Sequence, residues 1–241
     1  MADIPLCQKA AEVLARLRAY YGEPVRKVRR DPLSELILTI LSQNTNDDNS
    51  FKAFEALRAR FPTWQAVMEA PTHAVAEAIR VGGLANIKAP RIQQILRQIA
   101  TERGALNLDF LAEMPTSQAR EYLLALPGVG PKTAACVLLF SLGKPALPVD
   151  THVHRVAERL GFFRARTDAA KAHEVLEALV PPEAYYPFHL LMIQHGRTLC
   201  AARKPQCADC PLRSLCAYAE AGASRPLTPG PSPKMGEGIE G

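Results

Sequence analysis

No apolar run in this 241-residue chain approaches the roughly 20 residues that a bilayer-spanning helix needs. The N-terminus also lacks the basic-then-apolar order of a secretory signal. These two absences argue against a membrane or exported protein, so a cytoplasmic chain is expected, nucleoid-associated if bacterial. No segment alternates apolar and polar residues over strand length, which excludes a sheet-based fold and leaves an all-α chain with short loops. Proline and glycine are unremarkable over most of the length but crowd near the end, where Ser224 to Pro233 cannot form a packed element. Residues 221–241 are therefore expected to be a disordered tail. Cysteine is sparse before residue 200. Cys7 and Cys136 stand alone in apolar helical patterns and read as small buried residues.

What remains is apolar spacing of helical period. Val13, Leu14, Leu17 and Tyr21 mark an amphipathic helix over 8–21. Asp31-Pro32 opens another, with Asp31 as cap and Leu33, Leu36, Ile37, Ile40 and Leu41 on one face. It runs out into eight polar residues, Ser42 to Asn49, which should form a surface loop or line a cleft. Further helices are expected over 50–60, after caps at Thr63 and Thr72, and over 88–102, 117–126, 168–179 and 184–199. Gly82-Gly83-Leu84-Ala85-Asn86 interrupts the pattern and should leave Leu84 exposed. The net charge of +5 permits an acidic partner such as DNA without demanding one.

Leu126-Pro127-Gly128-Val129-Gly130-Pro131-Lys132-Thr133 carries the most chemistry. Glycines at 128 and 130 force a turn. Pro131 suits the first position of a new helix, where no amide hydrogen is needed. The apolar run from Thr133 to Leu142 then reads as a buried helix ended by Gly143 and Pro145. Gly128, Val129 and Gly130 should present free N–H groups to an anion, a nucleic-acid phosphate being the obvious one. Lys132 lies in the helix's first turn, where a cation opposes the dipole and loses its proton more readily. A neutral amine is a nucleophile. Val149-Asp150-Thr151-His152 precedes the helical pattern Val153, Val156, Ala157, Leu160, and on spacing alone Asp150 reads first as that helix's N-cap.

Cys200, Cys207, Cys210 and Cys216 are spaced by six, two and five residues. Zinc sites generally use two close pairs. Here there is one close pair, which suits a four-cysteine iron–sulfur cluster better. A solvated loop without metal is the plain alternative. Arg203 and Lys204 lie within the loop and could face a phosphate backbone.

The hairpin, the Val149-Asp150-Thr151-His152 run and the cysteine quartet, in this order, resemble the endonuclease III family of DNA glycosylases over about residues 10–220. The resemblance implies a helix-hairpin-helix protein with a 4Fe-4S cluster. Its two helical domains flank a DNA-binding cleft: 25–144 is a six-helix domain, and 1–24 with 145–220 is the cluster-bearing one. It implies Lys132 as nucleophile and Asp150 as essential carboxylate, facing across the mouth of the cleft. It also implies a phosphate grip at Gly128 and Gly130 with a monovalent cation at the hairpin. The partner is double-stranded DNA with damaged bases or abasic sites, bound by a monomer. The expected activity is excision of oxidised pyrimidines with abasic-site lyase action. At the family's gap-filling glutamine this chain has Asn44, preceded by Gln43, and Leu84 matches its apolar wedge. Gln43-Asn44 and Cys136-Val137 also resemble the plant 5-methylcytosine branch, so a mismatch or methylated-base glycosylase stays open. A non-catalytic iron–sulfur DNA-binding protein is the reading from outside enzymology.

Overall fold

The computed structural model describes residues 4–25 and 29–222. Of the expected tail, residues 223–241 lie outside this range. Every regular element among the described residues is helical, and none is a strand. The chain divides into two compact units. Lys27–Pro148 forms a continuous unit, and Met1–Arg26 with Val149–Gly241 forms a discontinuous one.

Helix α1 (Leu6–Tyr21) belongs to the discontinuous unit and buries Ala10, Val13, Leu14 and Leu17. Cys7 is exposed rather than buried. It sits in the first turn, ahead of the first covered residue, where helical period alone overstates burial.

The continuous unit is built around α2 (Pro32–Leu41). Asp31 caps it by accepting the Ser34 N–H at 2.8 Å, and Pro32 fills the first turn. Side chains from Leu36 to Leu41 are buried without exception, so α2 is covered on all sides, not along one face. A helix apolar all round belongs at the centre of its unit. Against it pack α3 (Asp47–Arg60), α6 (Ala85–Arg103) and α8 (Pro131–Cys136), with α4 (Trp64–Glu69) and α5 (Thr72–Ala78) on α6 and α7 (Thr116–Leu124) on α8. Helix α3 begins three residues earlier than its apolar pattern, because the Asn46 side chain caps it through the Asn49 N–H. The polar run after α2 is therefore half loop and half first turn. Thr63 caps α4 as expected. Thr72 does not cap α5; its hydroxyl donates to Oε1 of Gln93 at 2.7 Å. Gln93 is buried and spends its amide nitrogen on the carbonyls of Val67 and Ala70, so its oxygen needs a donor.

The discontinuous unit adds α9 (Thr151–Leu160), α10 (Ala169–Leu179), α11 (Tyr185–Arg197) and the short α12 (Ala217–Glu220). Helix α9 buries Val153, Val156, Ala157 and Leu160, and stops at Gly161 in the left-handed conformation (φ 83°). Helix α11 packs on both α9 and α1. Gly196 permits the closest approach: a Cβ there would lie 2.9 Å from that of His152.

Candidate functional site

In the continuous unit, the turn between α7 and α8 places Gly128 at φ 70° and Gly130 as the extended N-cap of α8. The N–H groups of Gly128 and Gly130 have no acceptor among the described residues. Val129 is different. It is buried, and its N–H donates to Leu126 O at 3.1 Å, so the hairpin presents two amides and not three. Nor is Thr133–Leu142 one α-helix. Past Cys136, Val137–Ser141 winds as a π-turn, with Leu142 N–H reaching back to Val137 O at 3.3 Å.

Lys132 is the second residue of α8 and is half-buried. Its charge acts on a carboxylate that the sequence did not single out, Glu35 of α2. Burial pushes the Glu35 carboxyl above its ordinary range, against the opposing pull of Arg30 and Lys132. Arg30 approaches it at 3.7 Å. Glu35 was hidden because an acid in a helix's first turn normally reads as dipole stabilisation.

A second unforeseen residue is Arg91 of α6. A Cβ on Gly128 would sit 2.3 Å from its Nε, so the arginine fills the space that this glycine leaves. Arg91 also points a long hydrogen bond (3.4 Å) at Oε1 of Gln43, and Gln43 reaches Oγ1 of Thr133 at 3.5 Å. Gln43 thus leans on the hairpin, while the neighbouring Asn44 is exposed at φ 55°. Leu84 is 46% exposed at φ 52°, with Val81 and Ile87 also exposed beside it in sequence.

Asp150 belongs to the discontinuous unit. It caps α9: Oδ1 accepts the Val153 N–H at 2.8 Å. Its other oxygen accepts no hydrogen bond among the described residues. Burial lowers the pKa of His152, with Asp150 pulling the other way.

Cys200, Cys207, Cys210 and Cys216 all line one recess of about 370 Å³, open solvent at its mouth included. Arg159, which also lines the recess, donates from Nη1 to Cys200 Sγ at 3.0 Å, and His195 Nε2 lies 3.5 Å from Cys210 Sγ. Burial pushes the Cys210 thiol up to about 11, and the other three cysteines add to the rise. Nε of Arg159 is buried and unpaired. Among the described residues no three Cys, His, Asp or Glu side chains converge as the ligands of a single ion do. Arg203 and Lys204 are exposed on the loop, Lys204 at φ 51°.

The described residues are thus all-helical, with two unpaired hairpin amides and a half-buried lysine two residues further along. Residues 37–182 match the HhH-GPD superfamily of base excision DNA repair proteins. The chain is 38% identical over 188 residues to endonuclease III of Thermotoga maritima, covering 78% of this chain and 84% of that protein. Against endonuclease III of Escherichia coli it is 35% identical over 213 residues, covering 88% and 96%. It spans 64% of the length of a related Arabidopsis thaliana protein, to which it is 38% identical over 190 residues. A solved non-covalent endonuclease III–DNA complex superposes with a TM-score of 0.79 at 30% identity, over 92% of this chain and all of that one. A thermostable thymine-DNA glycosylase superposes at 0.71 with 25% identity, over 89% and 98%. The chain belongs to the HhH-GPD superfamily of base excision DNA repair proteins. It is an enzyme of the DNA glycosylase class, and its partner is DNA. No described helix is long and apolar enough to cross a membrane.

Proposed function

We propose that the protein excises oxidised pyrimidines from duplex DNA and then cuts the strand at the resulting abasic site, with Lys132 as nucleophile and Asp150 as its acidic partner. The observation that carries the reading is the lysine itself, half-buried one residue past the first turn's proline and beside the unpaired hairpin amides. A base inside a duplex is out of reach, so the nucleotide has to be extruded first. Gly128 and Gly130 N–H groups would grip a backbone phosphate, with a monovalent cation at the same turn, while Asn44, Gln43 and Leu84 engage the duplex that the extrusion leaves open. Asp150 supplies the carboxylate: ionised, it stabilises positive charge growing on the sugar, and it is the group that takes up a proton as the amine is activated. The neutral amine attacks C1′, and the C1′–N bond breaks as the base leaves with its electron pair and takes up a proton. The attached amine sheds its extra proton, the C1′–O4′ bond breaks with O4′ taking up a proton, and the ring-opened iminium acidifies the C2′ hydrogen. Loss of that proton and of the 3′ phosphate cuts the strand.

The cysteine recess fits a 4Fe-4S cluster. Four cysteines line the one recess, the donor set is the one such clusters use, and an unpaired buried guanidinium nitrogen suits an anionic group. A cubane is broader than one ion, so its ligands need not converge as single-ion ligands do. Bound there, the cluster would tie the 200–216 loop and hold Arg203 and Lys204 towards phosphate. Such an enzyme works at the chromosome, in cytoplasm or nucleoid.

A panel of duplexes carrying thymine glycol, uracil, G:T or 5-methylcytosine tests the substrate. Fastest excision of thymine glycol with strand cleavage is expected. Preference for G:T would favour the second reading, a mismatch glycosylase, which the likeness to a thymine-DNA glycosylase supports.

A further inference from the structure

Lys88 of α6 is hidden in the core, 1% exposed. Its ammonium donates to two backbone carbonyls, Leu41 O at 2.7 Å and Gly82 O at 2.8 Å. Both carbonyls sit just ahead of a strained residue. Three residues past Leu41 is Asn44 at φ 55°, and two past Gly82 is Leu84 at φ 52°. Side chains at such angles are uncommon, and a leucine there is a strong outlier. Strain of this kind persists only where the surroundings over-determine it. A second contact confines the Gly82 turn: a Cβ on Gly82 would meet that of Ala53 at 3.0 Å, so this turn is pressed against α3. Burying an ammonium is costly, and here the return is a fixed distance between two loops.

We propose that Lys88 is a positioning residue: one buried ammonium sets the spacing and pose of Asn44 and Leu84, so that the two probe the duplex as a pair. The claim rests on the reading that these two side chains contact DNA. With the loops tied to a common point, filling the gap of an extruded nucleotide and wedging the neighbouring step occur in one register. Untied, each loop could meet the duplex alone, and damage would lose its distinctive fit.

The test is a binding cycle on the intact holoprotein, using a duplex with a tetrahydrofuran abasic analogue opposite 2-aminopurine. In the wild-type background, Asn44→Ala and Leu84→Ala are each expected to weaken binding about tenfold and to lower the 2-aminopurine signal. If neither does, the DNA-contact reading fails and the proposal goes with it. In a Lys88→Met background that keeps the wild-type helical circular-dichroism signal, the same two changes should each cost under about twofold, because the pair is already out of register. A purely structural lysine would lower the melting temperature and leave both penalties intact; full additivity overturns the proposal. Should Lys88→Met not fold, Gly82→Ala shifts only one turn. It is expected to erase the Leu84→Ala penalty while sparing that of Asn44→Ala, and retention of both penalties overturns the proposal equally.

Discussion

Asp150 caps α9, and the proposed mechanism gives it a second task that single substitutions can separate from the first. Its Oδ1 caps α9, and its other oxygen remains for a proton or a developing charge. Asparagine caps as well as aspartate but carries no charge. Asp150→Asn should therefore melt within a degree or two of wild type, roughly, yet lose about 10²–10⁴-fold in single-turnover base excision. Asp150→Ala should lose the cap as well, about 1 kcal/mol of stability. An asparagine variant that excises at the wild-type rate would reduce Asp150 to a cap. Lys88 gives a pH signature at the same scale. Burial pulls its pKa down to about 8, while an unfolded chain keeps the ordinary value of 10.5. Between these two values the unfolded state binds more protons than the folded one. Stability from this group should consequently rise as pH climbs from about 8 towards 10.5, and urea midpoints of Lys88→Met should lack that rise. Neither Lys88 nor Glu35 could be read from spacing. A lysine amid Ile92 and Ile95 looks like a solvated edge, and an acid four residues after a cap looks like ordinary helix chemistry. Their roles depend on which backbone or cation the fold brings beside them.

Among elements, those fixed by local rules were legible. The capping of α2 by Asp31 and of α4 by Thr63, the stop of α9 at Gly161 and the exposure of Leu84 follow from side-chain size and backbone freedom. What failed needed tertiary partners. Thr72 serves buried Gln93 instead of its own helix, Val129 closes a turn instead of facing an anion, and the end of the Thr133–Leu142 run opens into a π-turn. The hairpin offers a direct test. Gly128→Ala forces a Cβ into φ 70° and into Arg91, at 2.3 Å from Nε. The left-handed cost alone is about 1–2 kcal/mol, and the phosphate grip should be disturbed. Fluorescence anisotropy over a salt series should show weaker binding to abasic duplex, with the slope of log affinity against log salt reduced by about one. An unchanged slope would mean that no phosphate docks there.

For the molecule as a whole, the proposal ties integrity to the cysteine recess and activity to Lys132. Purified protein should be yellow-brown. Cys210→Ser should bleach that colour and open the 200–216 segment to protease. Colourless wild-type protein holding zinc and no iron would overturn the cluster. The sequence places Lys132 and Asp150 only in neighbouring motifs, whereas the fold assigns them to different units. The covalent intermediate decides what spacing alone leaves open. Intact protein incubated with an abasic duplex and borohydride, then digested and analysed by mass spectrometry, should carry the reduced sugar adduct on the peptide containing Lys132 and nowhere else. An adduct on another amine, or strand cleavage with no adduct at all, would contradict the account.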